Sequence, residues 1–116
     1  MDLNEYQRLA QRTANPELST RQKILNGCCG MCGEAGECID LIKKIEFQNH
    51  DFEPLKLLDE LSDVLWYVAE TATGLGYTLN DVAYHNISKL ENRYPKGFSA
   101  ENSIHRPEYG EGSDNE

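Results

Sequence analysis

Four acidic residues stand out by type and spacing: Glu34 and Glu37, then Glu60 and Asp63, each pair three residues apart. On an α-helix, residues at i and i+3 lie about 60° apart, so each pair projects two carboxylates along nearly one line. Carboxylates brought close together repel one another and lose hydration unless cations neutralise them. A donor set made only of oxygen suits hard divalent ions, Mg²⁺ or Mn²⁺. A complementary set follows at Asn86, Lys89 and Arg93, where an amide, an ammonium and a guanidinium share one helical stripe with Val82. Opposite a carboxylate–metal cluster, that stripe is what a polyphosphate needs, because metals bridge some phosphate oxygens and the cations hold the rest. Each feature taken alone is ordinary, since most charges on helices face water. The repetition of the acidic pair in the same phase on two segments is what favours a site.

The stretch GCCGMCGEAGEC, residues 27–38, offers a competing chemistry through Cys28, Cys29, Cys32 and Cys38. Zinc takes four ligands, typically as two pairs from separate segments, and no second Cys pair follows the CxxC of Cys29 and Cys32. His50, His85 and His105 are scattered. A redox role is weakened by the lack of a βαβ pattern around the motif. Reduced cysteine behaves as a small apolar residue, so these four are expected to line helix packing. Gly27, Gly30, Gly33 and Gly36 recur every third residue, each costing about 1 kcal/mol against Ala in a helix. They are expected to let another helix, or a ligand, approach closely.

The elements that must position these groups are helices throughout. Leu3, Tyr6, Leu9, Ala10 and Thr13 mark a first amphipathic helix ending before Asn15-Pro16. A second is expected from Ser19 or Thr20, as N-cap, to about Phe47. QNHDFEP reads as a loop. Pro54 then opens a third helix that runs to about Gly74, and Thr78 caps a fourth that Pro95 bounds. Apolar seams are expected at Ala35, Cys38, Ile42 and Ile45 in the second helix. In the third they are expected at Leu58, Leu61, Leu65, Val68, Ala72 and Leu75. If these seams pack together, the four carboxylates converge at the edge of the core. Residues 1–98 are expected to form a single all-α domain, and 99–116 a mobile acidic tail.

Composition narrows the classes of partner. The 116 residues carry 20 acidic and 11 basic side chains, a net charge of −9. That argues against unassisted binding to nucleic acid or an anionic membrane. No run approaches the ~18 apolar residues of a membrane span, and MDLNEYQR does not resemble a signal peptide. A cytoplasmic location with reduced thiols is therefore expected.

The segments GEAGECIDLIKK, LLDELSDVLWYVAETATGLGYTLNDVA and NISKLENRYPKGF together resemble the MazG-like, all-α nucleoside triphosphate pyrophosphohydrolases. That family's ExxE, gap, ExxD pattern falls on Glu34, Glu37, Glu60 and Asp63, with 22 residues between the pairs. Its basic part falls on Asn86, Lys89 and Arg93, followed by Tyr94-Pro95 and Phe98. The resemblance implies a four- to five-helix bundle that assembles as a homodimer or homotetramer. It also implies Mg²⁺-dependent cleavage of a (d)NTP between the α and β phosphates, giving the monophosphate and pyrophosphate. Glu34 and Glu37 are both candidates for the general base, and Tyr67 for a contact to the base or sugar. Trp66 lies off both stripes and reads as either core or subunit interface, with the interface favoured. A di-iron carboxylate bundle would need ExxH pairs, and no Glu here stands three residues before a His. A non-catalytic helical nucleotide-binding or interaction module is the remaining alternative.

Overall fold

The computed structural model of the chain describes residues 1–107, and every element among them is helical. The helices are α1 (Leu3–Gln11), α2 (Thr20–Gln48), α3 (Pro54–Leu75), α4 (Leu79–Arg93) and α5 (Ala100–Ile104). They fall into two compact units, Met1–Leu79 and the segment from Asn80 onward.

Local chemistry sets the helix ends. Asp2 caps α1 by accepting from the Glu5 amide at 2.8 Å. Ser19 and Gln22 form a reciprocal capping box at the start of α2, at 3.1 and 2.9 Å. The second helix stops where Asn49 turns left-handed at φ 58°, a conformation Asn tolerates better than most residues. Pro54 occupies the first turn of α3, and Gly76, at φ 81°, ends that helix. Ser99 caps α5, a short helix that the loss of periodicity after Phe98 did not foreshadow. Residues 108–116 of the expected tail lie outside the described residues.

In the first unit α2 and α3 run antiparallel, and the glycines fix how closely. A methyl group at Gly27 would overlap Thr71, one at Gly30 would overlap the Tyr67 ring, and one at Gly74 would press on Ile24 at 2.8 Å. Gly33 and Gly36 have nothing within 4 Å of such a methyl. These contacts correct the expected seam of α3 at its leucines, while Val68 and Ala72 of that seam do join the core. The face that meets α2 is the stripe of Leu57, Glu60, Val64, Tyr67, Thr71 and Gly74, one position back from the leucines. Leu58 and Leu61 are each 57% exposed, and Leu75 is 56% exposed. Hydrophobic periodicity locates a stripe but does not say which of two adjacent stripes meets the neighbour; here small residues on α2 decided it.

The fully buried apolar core is small, with Ala69, Ala72 and Leu79 at its centre and Tyr6 and Val68 packed around them. Polar ties do much of the joining. Buried Gln7 of α1 donates to the Thr73 hydroxyl at 2.9 Å and the Tyr77 carbonyl at 3.1 Å, and accepts from the Leu79 amide at 2.7 Å. Glu70, fully buried on α3, receives Lys23 Nζ at 2.7 Å and Asn26 Nδ2 at 2.8 Å from α2. Trp66 donates its indole N–H to Thr13 Oγ1 at 2.9 Å and points it toward the Ala10 carbonyl at 3.3 Å. The indole thereby ties the end of α1 to α3 within the chain.

Candidate metal centre

The α2–α3 packing brings together carboxylates that lie far apart in sequence. One oxygen each from Glu34, Glu60 and Asp63 lie within 4.8 Å of one another. Glu34 and Glu60 are half-buried between the helices, while Asp63 is exposed. Because the contact stripe is displaced by one residue, Glu60 sits in the helix–helix contact itself, not beside it. Glu37 is exposed and is not part of the trio. It is near enough for its charge to act on Glu60.

The electrostatics record an excess of negative charge. The Glu60 carboxyl is pushed above its usual range, first by partial burial, then by a hydrogen bond with Glu34 and the charges of Glu34, Glu37 and Asp63. Such a group holds a proton more readily, which is what a site short of positive charge does when only water is present. Its oxygen-only donors fit a hard divalent cation. Asp40, one turn from Glu37, is not available in the same way. Lys44 at 2.8 Å and Lys43 at 3.3 Å hydrogen-bond it and hold its carboxyl below the usual range.

Two tyrosines flank the trio. Tyr67 is half-buried, with its ring against Gly30 and edge-on to Trp66 at 5.0 Å between centroids. Tyr6 of α1 has its phenol pushed above the usual range by burial and then by the charge of Asp63. The sequence pattern marked Tyr6 only as an apolar position, and a short helix more than forty residues upstream of α3 gives no spacing cue to a partner there. Asn86, Lys89 and Arg93 lie along one face of α4, within the second unit. Asn86 is exposed and the two cations are half-buried, with the Arg93 guanidinium 5.9 Å from the Tyr94 ring centroid.

The cysteines take no part in this cluster. All four are free thiols, and Cys28, Cys29 and Cys32 are exposed. Those three therefore do not line the packing of this chain as expected, whereas Cys38 is half-buried; the close contacts with α3 are made by Gly27 and Gly30. Among the described residues no group of three potential metal ligands includes a cysteine.

A cavity of about 340 Å³ opens at the α2–α3 turn, lined by Leu41, Ile42, Ile45, Asn49, Phe52 and Leu57 among others. The sequence analysis read this segment, QNHDFEP, only as a loop.

Residues 22–98 match the family of the MazG nucleotide pyrophosphohydrolase domain. The chain is also similar to the Gene 37 protein of Mycobacterium phage L5, with 38% identity over 76 residues. That match covers 59% of this chain and 63% of the relative. No solved structure matches the chain.

Proposed function

The chain belongs to the MazG nucleotide pyrophosphohydrolase family, and from that premise we propose that it hydrolyses (d)NTPs between the α and β phosphates, giving (d)NMP and pyrophosphate. The observation that carries this is the convergence of Glu34, Glu60 and Asp63 from two helices within 4.8 Å. Mg²⁺, or Mn²⁺ in its place, held by these carboxylates would polarise the scissile phosphoryl group and offset its charge.

The remaining work falls to the chain's own residues. Glu37, exposed beside the trio but outside it, is the carboxylate left to accept a proton from the attacking water. Glu34 is the other candidate, and its nearness to Glu60 makes it the better ligand. The Tyr67 hydroxyl contacts the substrate near Asp63. Asn86, Lys89 and Arg93 hold phosphate oxygens by charge-assisted hydrogen bonds. The chain works as a homodimer or homotetramer, a reading supported by the leucine stripe that α3 leaves exposed. The substrate is a free nucleotide, consistent with the net charge of −9.

The deciding experiment incubates the protein with each NTP and dNTP and Mg²⁺ and identifies the products. Monophosphate with pyrophosphate is expected. Diphosphate with orthophosphate would refute the proposed bond cleavage, and nucleotide binding without turnover would favour a non-catalytic module.

A further inference from the structure

We propose that Cys29 and Cys32 form a reversible oxidation site for hydrogen peroxide, whose closure as a disulfide draws Gly30 off Tyr67 and loosens the carboxylate trio. Both thiols are free and exposed, one turn apart on α2, so a small oxidant reaches each of them. Every described element is helical, so this CxxC lacks the βαβ frame of a disulfide oxidoreductase and acts as a stoichiometric switch. The chemistry balances in two steps. The Cys29 sulfur attacks the O–O bond of hydrogen peroxide, becomes a sulfenic acid and releases one water. The Cys32 sulfur then displaces the hydroxyl of that sulfenic acid, which leaves as a second water while the S–S bond forms. The two thiols give up two electrons and two protons, and the peroxide takes up both.

Geometry makes the bond a switch. Side chains three residues apart on a helix hold their Cβ atoms about 5–6 Å apart, whereas a disulfide needs about 3.5–4.5 Å. Cys28 and Cys32, four residues apart, are separated by about 1.5 Å more helix rise, so the CxxC pair closes first. Closing it draws the helix in by about 1–2 Å between residues 29 and 32. Gly30 lies inside that span, and its backbone sits so close to the Tyr67 ring that a methyl group there would overlap it. Glu34, which meets Glu60 and Asp63, follows Cys32 by two residues. Gly33, between them, meets nothing and lets the backbone give. Tyr67 in turn is edge-on to Trp66, the single tryptophan of the chain, at 5.0 Å. A shift at Gly30 is therefore felt at the carboxylates and at the indole together. A disulfide that strains its helix and stands in solvent is readily reduced, so a dithiol restores the open state.

The full chain, free of metal, is treated with hydrogen peroxide and then divided between samples with and without dithiothreitol. Peptide mapping without reductant is expected to find the Cys29–Cys32 bond. With that bond in place the Trp66 emission should change and Tm should fall by roughly 4–8 °C. The Mg²⁺ concentration that gives half of the metal-induced Tm increase should rise about ten- to a hundredfold, the range for a ligand that loses its support. Dithiothreitol should reverse every change. Cys29→Ser should show none of them, and Cys28→Ser should show them all. A bond between any other pair, a cross-link between chains, or over-oxidation of Cys29 with no S–S bond would overturn the proposal. So would a Cys29–Cys32 bond that leaves the Trp66 emission and Tm unchanged. Only the Mg²⁺ measurement rests on the metal site proposed above. A reduced protein that does not respond to Mg²⁺ refutes that site, while the bond, the emission and Tm still decide the switch.

Discussion

At the residue scale, Glu60 concentrates the chemistry, because it shares a helix contact with one carboxylate and the field of two more. Its raised pKa carries a sign for stability. A carboxyl that binds its proton more tightly when folded gives stability that is fully present below its unfolded pKa and lost as pH rises through the folded one. Metal-free protein should therefore lose thermal stability as pH rises from the ordinary carboxylate range through the raised Glu60 value, and Mg²⁺ should restore it. Glu60→Gln should raise the metal-free Tm at neutral pH while abolishing the Mg²⁺-induced increase, both readable by calorimetry. Asp63→Asn and Glu37→Gln should each reduce turnover to background with the circular dichroism spectrum intact. Activity within a fewfold of the parent would contradict their assignment. For the basic stripe, each charge-assisted hydrogen bond is worth on the order of 1.5–3 kcal/mol, so Lys89→Ala and Arg93→Ala should lower kcat/KM by about ten- to a hundredfold. Lys43→Ala, whose side chain is 54% exposed beside Asp40, should change little. Equal behaviour of all three would leave the stripe a solvated face.

At the element scale the test is the spacing between α2 and α3. Gly30→Ala places a methyl group into the Tyr67 ring, so the helices must separate and the Glu34–Glu60 approach must loosen. It should destabilise the fold by about 1–3 kcal/mol and weaken Mg²⁺ binding. Gly33→Ala meets nothing in this chain and should gain up to about 1 kcal/mol from helix propensity. Chemical denaturation of both variants reads the contrast. The helix limits were legible in the sequence because they rest on local chemistry: Ser19, Pro54 and Pro95 act on their own neighbours. The carboxylate pairs were legible for the same reason, as each lies within one turn. What the sequence did not disclose was tertiary. Two adjacent stripes on α3 are both plausible contact faces, and only the fit of Tyr67 and Thr71 onto glycines selects between them. Trp66 and Tyr6 find their partners through chain reversals that no spacing records, and the cavity exists only once Leu41 and Leu57 face each other.

At the scale of the whole molecule, the first unit encloses very little apolar volume for its length. Ala10, Ala69, Ala72 and Leu79 are its buried apolar residues, while Leu58, Leu61 and Leu75 remain more than half exposed along one side of α3. A second copy covering that side accounts for both facts, since small chains that cannot complete a core alone are stabilised by association. Leu58→Glu together with Leu61→Glu should shift sedimentation to the monomer and lower Tm. A parent protein already monomeric at micromolar concentration would remove this reading. Mass action adds a signature, a Tm that climbs with protein concentration.

The Lys23–Glu70 pair bears on how such a chain can change over generations. Removing one partner of a buried ion pair costs about 3–5 kcal/mol, a large share of a small domain's stability, whereas replacing both with matched apolar residues can be neutral. Drift at position 23 is thus blocked while Glu70 stands, and the reverse holds equally. Related lineages should carry the two positions as one inherited trait, kept together or exchanged together, with Asn26, which donates to the same carboxylate at 2.8 Å, tied to Glu70 as well.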